Sequence, residues 1–258
     1  MMKKMSRKFS TKTLALSVFT LASTLLISTA HANGNVSLGA GIAVGKLPYK
    51  SYDTKFWPAP VISYENDYFY VRGISAGVFL LKNDHHRLTV NAYYSPLHFK
   101  PSDSDDKALN QLNRRRSTMM AGLGYQYTDT WGIIRAELAG DVLGKSDGII
   151  ADLAYFYPIH IDKFRITPGI GVQWQSRQFN DYYFGVSSTE STRSGLSKYS
   201  ADSGVSTYLS LNANYSLTSS WTLYATGRVS FLSSEAKDSP MVDKSYDAVF
   251  STGITYTF

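Results

Sequence analysis

Apolar and polar residues alternate along most of this chain. Between 36 and 44 the even positions are Val36, Leu38, Ala40, Ile42 and Val44, interleaved with Ser37, Gly39, Gly41 and Ala43. Between 205 and 217 the odd positions include Val205, Leu209, Leu211, Ala213 and Leu217, with Ser206, Ser210, Asn212 and Asn214 between them. Trp221, Leu223, Ala225, Val229 and Phe231 alternate with Thr222, Tyr224, Thr226, Arg228 and Ser230, and the same rhythm runs through 119–127 and 164–174. A two-residue period sets one face of a strand against apolar surroundings and the other against polar ones. Strands of about nine to fourteen residues joined by short turns predict a transmembrane antiparallel β-barrel, because the strands of a soluble sandwich are usually shorter. The final stretch carries Ala248, Phe250, Thr252, Ile254, Tyr256 and Phe258 on one face and Val249, Ser251, Gly253, Thr255 and Thr257 on the other. An alternating strand that ends on an aromatic residue fits an outer-membrane barrel. Trp131, Trp174, Trp221, Tyr127 and Tyr157 fall near predicted strand ends, where aromatic girdles form at the two interfaces.

The pattern yields strands at 36–45, 58–65, 68–81, 87–98, 117–127, 131–142, 148–157, 164–175, 204–217, 220–232 and 247–258. Bacterial single-chain barrels have an even strand number, so this odd set has one strand missing or spurious. Counting from either end of the chain gives opposite parity. The discrepancy falls in 45–100, where Pro48, Pro58, Pro60 and Pro96 disturb the alternation. Twelve strands are expected, with ten as the alternative. The turns at 128–130, 158–163 and 218–220 are then periplasmic, and 99–116, 176–203 and 233–246 are outer loops. Pro168 removes a ladder hydrogen bond from an otherwise regular strand, and a bulge there would absorb it.

Ahead of the strands, a basic start (Lys3, Lys4, Arg7, Lys8) leads into an apolar stretch from Leu14 that ends in Ala30-His31-Ala32. That is the form of a cleaved secretory signal peptide, 1–32, leaving one barrel domain over 33–258. The chain's net charge of +6 owes most to this segment, since residues 33–258 carry 21 basic side chains against 20 acidic. Nucleic-acid binding, which needs a basic footprint, is therefore not expected. With no cysteine there is no thiol catalysis, disulfide framework or cysteine-bound zinc.

No catalytic constellation stands out. Asp84-His85-His86 could in principle activate water, but adjacency in sequence does not establish geometry, and a polar turn is the simpler account. His98 and His160 lie near strand ends. Asp103, Asp105 and Asp106 lack the glycine and distal glutamate of a calcium loop. Arg114, Arg115 and Arg116 follow closely, so charge balance within one loop is expected. The chain is read as neither an enzyme nor a cofactor binder. The polar strand faces carry Arg72, Arg135, Glu137, Asp141, Asp152, Arg165 and Arg228. Inside a barrel these point to the lumen, since an Arg facing lipid at mid-depth costs about 2–4 kcal/mol. Their mixed signs suit a closed interior network or a narrow aqueous path, not a selective ring of one sign.

Several blocks carry a family resemblance. They are Gly45-Lys46-Leu47-Pro48-Tyr49-Lys50-Ser51-Tyr52-Asp53, Trp57-Pro58-Ala59-Pro60-Val61-Ile62-Ser63-Tyr64 and Arg116-Ser117-Thr118-Met119-Met120-Ala121-Gly122-Leu123. Further on come Ile166-Thr167-Pro168-Gly169-Ile170-Gly171-Val172-Gln173-Trp174, Tyr182-Tyr183-Phe184-Gly185-Val186-Ser187, Asp238-Ser239-Pro240-Met241-Val242-Asp243-Lys244-Ser245 and the final Ser251-Thr252-Gly253-Ile254-Thr255-Tyr256-Thr257-Phe258. Together they resemble the MipA/OmpV family over essentially all of 33–258. The resemblance implies a Gram-negative outer-membrane barrel that scaffolds peptidoglycan turnover, bringing a murein lytic transglycosylase together with a bifunctional murein synthase of the penicillin-binding class. It transfers no site residue. Such a scaffold reaches the cell wall only through its periplasmic turns and ends, which makes Asp162 and Lys163 candidate contacts. The competing reading is a barrel for small-solute transport or host contact, based on its long polar outer loops.

Overall fold

A computed structural model describes residues 35–258 of the chain; the signal peptide read at 1–32 lies outside the described residues. The described residues form fourteen strand segments: β1 (Asn35–Lys46), β2 (Lys55–Pro58), β3 (Val61–Glu65), β4 (Phe69–Arg72), β5 (Ser75–Lys82), β6 (His86–Ser95), β7 (Thr118–Asp129), β8 (Gly132–Asp141), β9 (Ile149–Phe156), β10 (Ile159–Ile161), β11 (Phe164–Gln175), β12 (Gly204–Ser216), β13 (Trp221–Phe231) and β14 (Tyr246–Thr257). Every pairing is antiparallel, and β14 pairs with β1 from Ser37↔Thr257 to Lys46↔Ala248, which closes the sheet. Two strands are interrupted without losing register. β2 and β3 continue one another along β1 across Ala59-Pro60, and β9 and β10 do so along β11 across Tyr157-Pro158. The barrel therefore has twelve strands. Among the described residues no helix is long and apolar enough to cross a membrane.

The missing strand lies where parity failed, but proline did not hide it. The stretch read as one strand at 68–81 is a hairpin, β4–β5, folded at Gly73 with φ +57°. A two-residue turn lets the alternation run through it almost unbroken, and a glycine adopts the left-handed conformation without a Cβ clash. Pro58 and Pro60, read as disturbances, belong to a strand that runs the full 55–65. Pro168 brings no bulge. It stays in register with Leu211 on β12, and its carbonyl accepts from Tyr157 N–H at 3.1 Å. Its missing N–H would point to the same neighbour, so the cost falls where that strand is interrupted at Pro158. A register shift does occur elsewhere in the wall, between Phe79 and Leu81 where β5 pairs with β6.

Large apolar side chains stand exposed along the wall, among them Leu38, Ile42, Ile62, Val78, Leu123, Leu138, Leu153, Ile170, Leu209 and Phe250. A continuous exposed apolar band of this kind requires lipid to cover it. Aromatics gather at the end carrying the short turns: His86, Tyr127, Trp131 and Tyr155 form a chain of ring contacts 5.1–6.2 Å apart, and Trp221, Tyr256 and Phe258 form another at 4.8–4.9 Å. The long segments 47–54, 96–117, 142–148, 176–203 and 232–245 all leave from the opposite end, the outer one by the usual loop asymmetry.

Candidate functional site

Three regions can interact with something: the outer cap, the interior and the periplasmic rim. The cap is a hydrophobic core made almost wholly of loop residues. Tyr49, Phe99, Leu109, Tyr183, Val186 and Met241 are essentially inaccessible to solvent and pack in one cluster. Tyr49 meets Phe99 edge-on at 4.9 Å, and its hydroxyl donates to the Tyr183 carbonyl at 3.3 Å. Burial pushes the Tyr49 and Tyr183 phenols up, so both stay neutral. Two helices organise the longest loop. In α1 (Arg177–Phe184), Ser176 caps the first turn, and in α2 (Ser188–Ser194), Ser187 and Glu190 form a capping box closed by left-handed Gly195.

Glu190 does more than cap. Its carboxylate accepts from Asn113 N–H at 2.8 Å and from Arg115 Nη2 at 2.9 Å, and Arg115 Nη2 also donates to the Gly185 carbonyl at 3.0 Å. Burial alone would raise the Glu190 pKa, but these donors, the Ser187 N–H and hydroxyl, and the Arg115 charge hold it below the usual carboxylate range. The balance expected between Asp103, Asp105 and Asp106 and the arginines 114–116 is therefore not what forms. Asp103 pairs with Lys55 at 3.2 Å and Lys100 at 3.4 Å, and Asp106 accepts from Ala108 and Leu109 N–H. Arg115 instead crosses to a different loop. Local sequence cannot anticipate that pairing, because its partners are 75 residues apart. The capping box was not read from the sequence, where its signal is the Ser187-x-x-Glu190 spacing.

In the interior, the charges read from the sequence fall into separate groups. Arg135, Asp152 and Arg228 come together: Arg135 lies 3.8 Å from Asp152, which accepts from Tyr208 OH at 3.0 Å, and the Arg228 guanidinium stacks 3.6 Å from the Tyr208 ring. Glu137 accepts from Asn91 Nδ2 at 3.2 Å. Arg72 pairs with Glu65, which Lys82 also approaches at 3.1 Å and Arg87 at 3.8 Å. Glu65, Lys82 and Arg87 were missed; Arg87 shares the two-residue phase of Thr89 and Asn91 and was legible there. Asp141 sits at the outer rim, where it takes the Thr118 hydroxyl and the Leu143, Lys145 and Ser146 N–H groups to shape the 142–147 loop. Arg165 lies at the opposite end, donating to His160 Nε2 at 3.0 Å. A cavity of about 90 Å³ lies between the two main groups, with Arg72, Arg87, Arg135 and Glu137 in its wall.

The periplasmic rim consists of turns at 66–68, 83–85, 130–131, 162–163 and 217–220. The segment read as a turn at 158–163 narrows to Asp162-Lys163, because 159–161 pairs as β10. Side chains lock several of these turns. Asn66 Oδ1 accepts from Tyr68 and Phe69 N–H at 2.8 Å, Asn83 Oδ1 from His86 N–H at 2.7 Å, and Thr218 Oγ1 from Trp221 N–H at 3.0 Å. Asp162 and Lys163 are exposed at one tip, with Asp162 at φ +50°. His85 and His86 each bond across to β7 or its end, to the Thr128 carbonyl at 2.9 Å and the Tyr125 hydroxyl at 2.7 Å. His98 is buried on the outer side against the Pro96 carbonyl at 2.9 Å, and burial lowers its pKa.

A closed antiparallel barrel with a lipid-facing apolar band, aromatic girdles, long loops at one end and both described ends of the sheet at the other is an outer-membrane β-barrel. The family model described as "MltA-interacting protein MipA" matches residues 38–258, and the chain belongs to that family. It is 48% identical over 242 residues to the MltA-interacting protein of Escherichia coli K12, covering 92% of this chain and 98% of that one. Outer membrane protein OmpV of Vibrio cholerae is 26% identical over 147 residues, 57% of each chain. Among solved structures, an outer membrane channel from Pseudomonas putida F1 aligns with a TM-score of 0.48 at 9% identity, covering 89% of this chain and 97% of that one.

Proposed function

We propose that this barrel is a non-catalytic scaffold of peptidoglycan turnover, holding a murein lytic transglycosylase beside a bifunctional penicillin-binding murein synthase through its periplasmic rim. The observation that carries this reading is the 48% identity, across nearly the whole length of both chains, to a protein named for interacting with MltA. The rim suits the role physically. Its turns are held by their own side chains, so docking costs little ordering entropy. A standard interface needs roughly 800 Å² per partner, more than one hairpin tip presents, so several turns must act together and binding is transient. Asp162 and Lys163 supply one charged contact among them. Inside, Arg72, Arg135, Glu137, Asp141, Asp152, Arg165 and Arg228 serve the wall by pairing and filling.

The test is capture. The barrel, immobilised in mild detergent beside an unrelated outer-membrane barrel, is exposed to a purified lytic transglycosylase and murein synthase. Retention of both above the control is expected, with severalfold less retention on an Asp162→Ala/Lys163→Ala double variant. Retention no better than the control would move the weight to small-solute transport or host contact, which the polar interior cavity favours.

A further inference from the structure

The barrel wall has a window. β2 pairs with β1 and with no other strand, and strand pairing on the far side of this edge begins only lower down, at Ile62, whose carbonyl accepts from Gly73 N–H at 2.7 Å. The β4–β5 hairpin turns back there, short of the outer rim. Above, the loops join again: Asp53 N–H donates to the Asp103 carbonyl at 3.1 Å, Asp105 N–H to the Ser51 carbonyl at 3.0 Å, and Lys100 N–H to the Tyr52 hydroxyl at 3.0 Å. The opening thus has a sill at 72–75, a lintel at 51–53 and 103–105, and 55–61 as one jamb.

The sequence of that jamb suits an edge left open. Ala59 N–H donates to the Gly41 carbonyl at 2.8 Å, so residue 59 faces β1 and its neighbours 58 and 60 face the opening. Both are proline. An unpaired N–H in a low-dielectric surround costs free energy, and proline has none to leave unpaired; it also stops another strand from adding there.

Behind the sill lies the interior cavity. Arg72 and Ser75, the residues flanking the turn, are part of its wall, together with Arg87, Asn91, Arg135 and Glu137. Arg72, Lys82 and Arg87 share the single carboxylate of Glu65 beside it, whereas Arg135 has Asp152 at 3.8 Å. Arg135 Nε, a donor, is buried with no hydrogen-bond partner. Buried cationic donors in surplus call for an anion. The axial route from outside is covered by the aromatic cap, whereas the window opens toward the lipid.

We propose that the window is a lateral passage through which a single-chain anionic amphiphile enters from the outer leaflet, its head group held by Arg87 and Arg135 in the cavity and its tail lying in the opening. This goes beyond the scaffold reading and does not depend on it. The test is calorimetric titration of the whole barrel in nonionic detergent with dodecyl phosphate, inorganic phosphate and dodecyltrimethylammonium. Dodecyl phosphate should bind at one site, and the other two at least tenfold more weakly. Arg135→Gln and Arg87→Gln should each weaken it about tenfold, the scale of one charge-assisted hydrogen bond. Ala59→Trp, on the inward phase of the jamb, should do the same by obstruction, with heat-modifiable gel migration confirming that each variant is folded. Four outcomes would overturn the proposal: no binding of dodecyl phosphate, equal binding of inorganic phosphate, equal binding of the cationic amphiphile, or full affinity in all three folded variants.

Discussion

At the scale of single residues, the pair Arg115 and Glu190 has the largest consequence. Each is nearly enclosed by the cap, and each spends its hydrogen bonds on two different loops. Removing one partner of such a pair costs about 3–5 kcal/mol, because the other charge is left buried and unpaired. Glu190→Ala should therefore loosen the cap and leave the wall intact, seen as faster protease cleavage within 99–117 and 176–203 at unchanged strand content by circular dichroism. The pair also sets a pH dependence. The Glu190 pKa is lower in the folded protein than the ordinary glutamate value of about 4.3, so its contribution is complete above that value. It is lost as the pH falls through the lower folded value. Loop protection should thus hold steady from pH 7 to about pH 5 and weaken only below about pH 4. A Glu190→Gln variant should show little of that acid sensitivity.

At the scale of the elements, the short β4–β5 hairpin decides the architecture, and it turns on Gly73. With φ at +57°, a β-branched side chain there is strained by about 1–3 kcal/mol. Gly73→Val should lower the guanidinium unfolding midpoint, and Gly73→Asn, a residue that tolerates the left-handed region, should cost less. The same hairpin shows what sequence could and could not reveal. Long strands paired on both sides, such as β7, β11, β12 and β13, were legible because alternation is a physical requirement of a wall with lipid on one side and polar groups on the other. The hairpin was not, because a turn of two residues preserves that alternation and Ile74 looks like any strand residue. The prolines at 58 and 60 misled for the opposite reason: they argue against a central strand, and β2 is an edge. Barrel class, girdles and the polar strand phase could thus be read in advance. The cap and its salt bridge could not, because they depend on contacts between loops far apart in the chain.

At the scale of the whole molecule, the aromatic cap closes the outer end of the barrel above the charged interior. An axial current should accordingly be absent from planar bilayers containing the intact barrel. Replacing 177–202 with a short Gly-Ser linker removes α1 and α2 from the cap and should produce discrete conductance steps; continued silence would place the seal in the interior network instead. The seam between β1 and β14 sets the order of events in assembly. Ser37 and Thr257 share a hydrogen bond at 2.8 Å across 220 residues of chain, and Phe258 N–H reaches the Val36 carbonyl at 3.0 Å. The first strand to emerge in synthesis waits for the last, and until then the sheet has two raw edges, each able to recruit a stranger. Pairing of β14 with β1 removes both edges at once, so that one seam ends the sheet's capacity to pair with anything but itself.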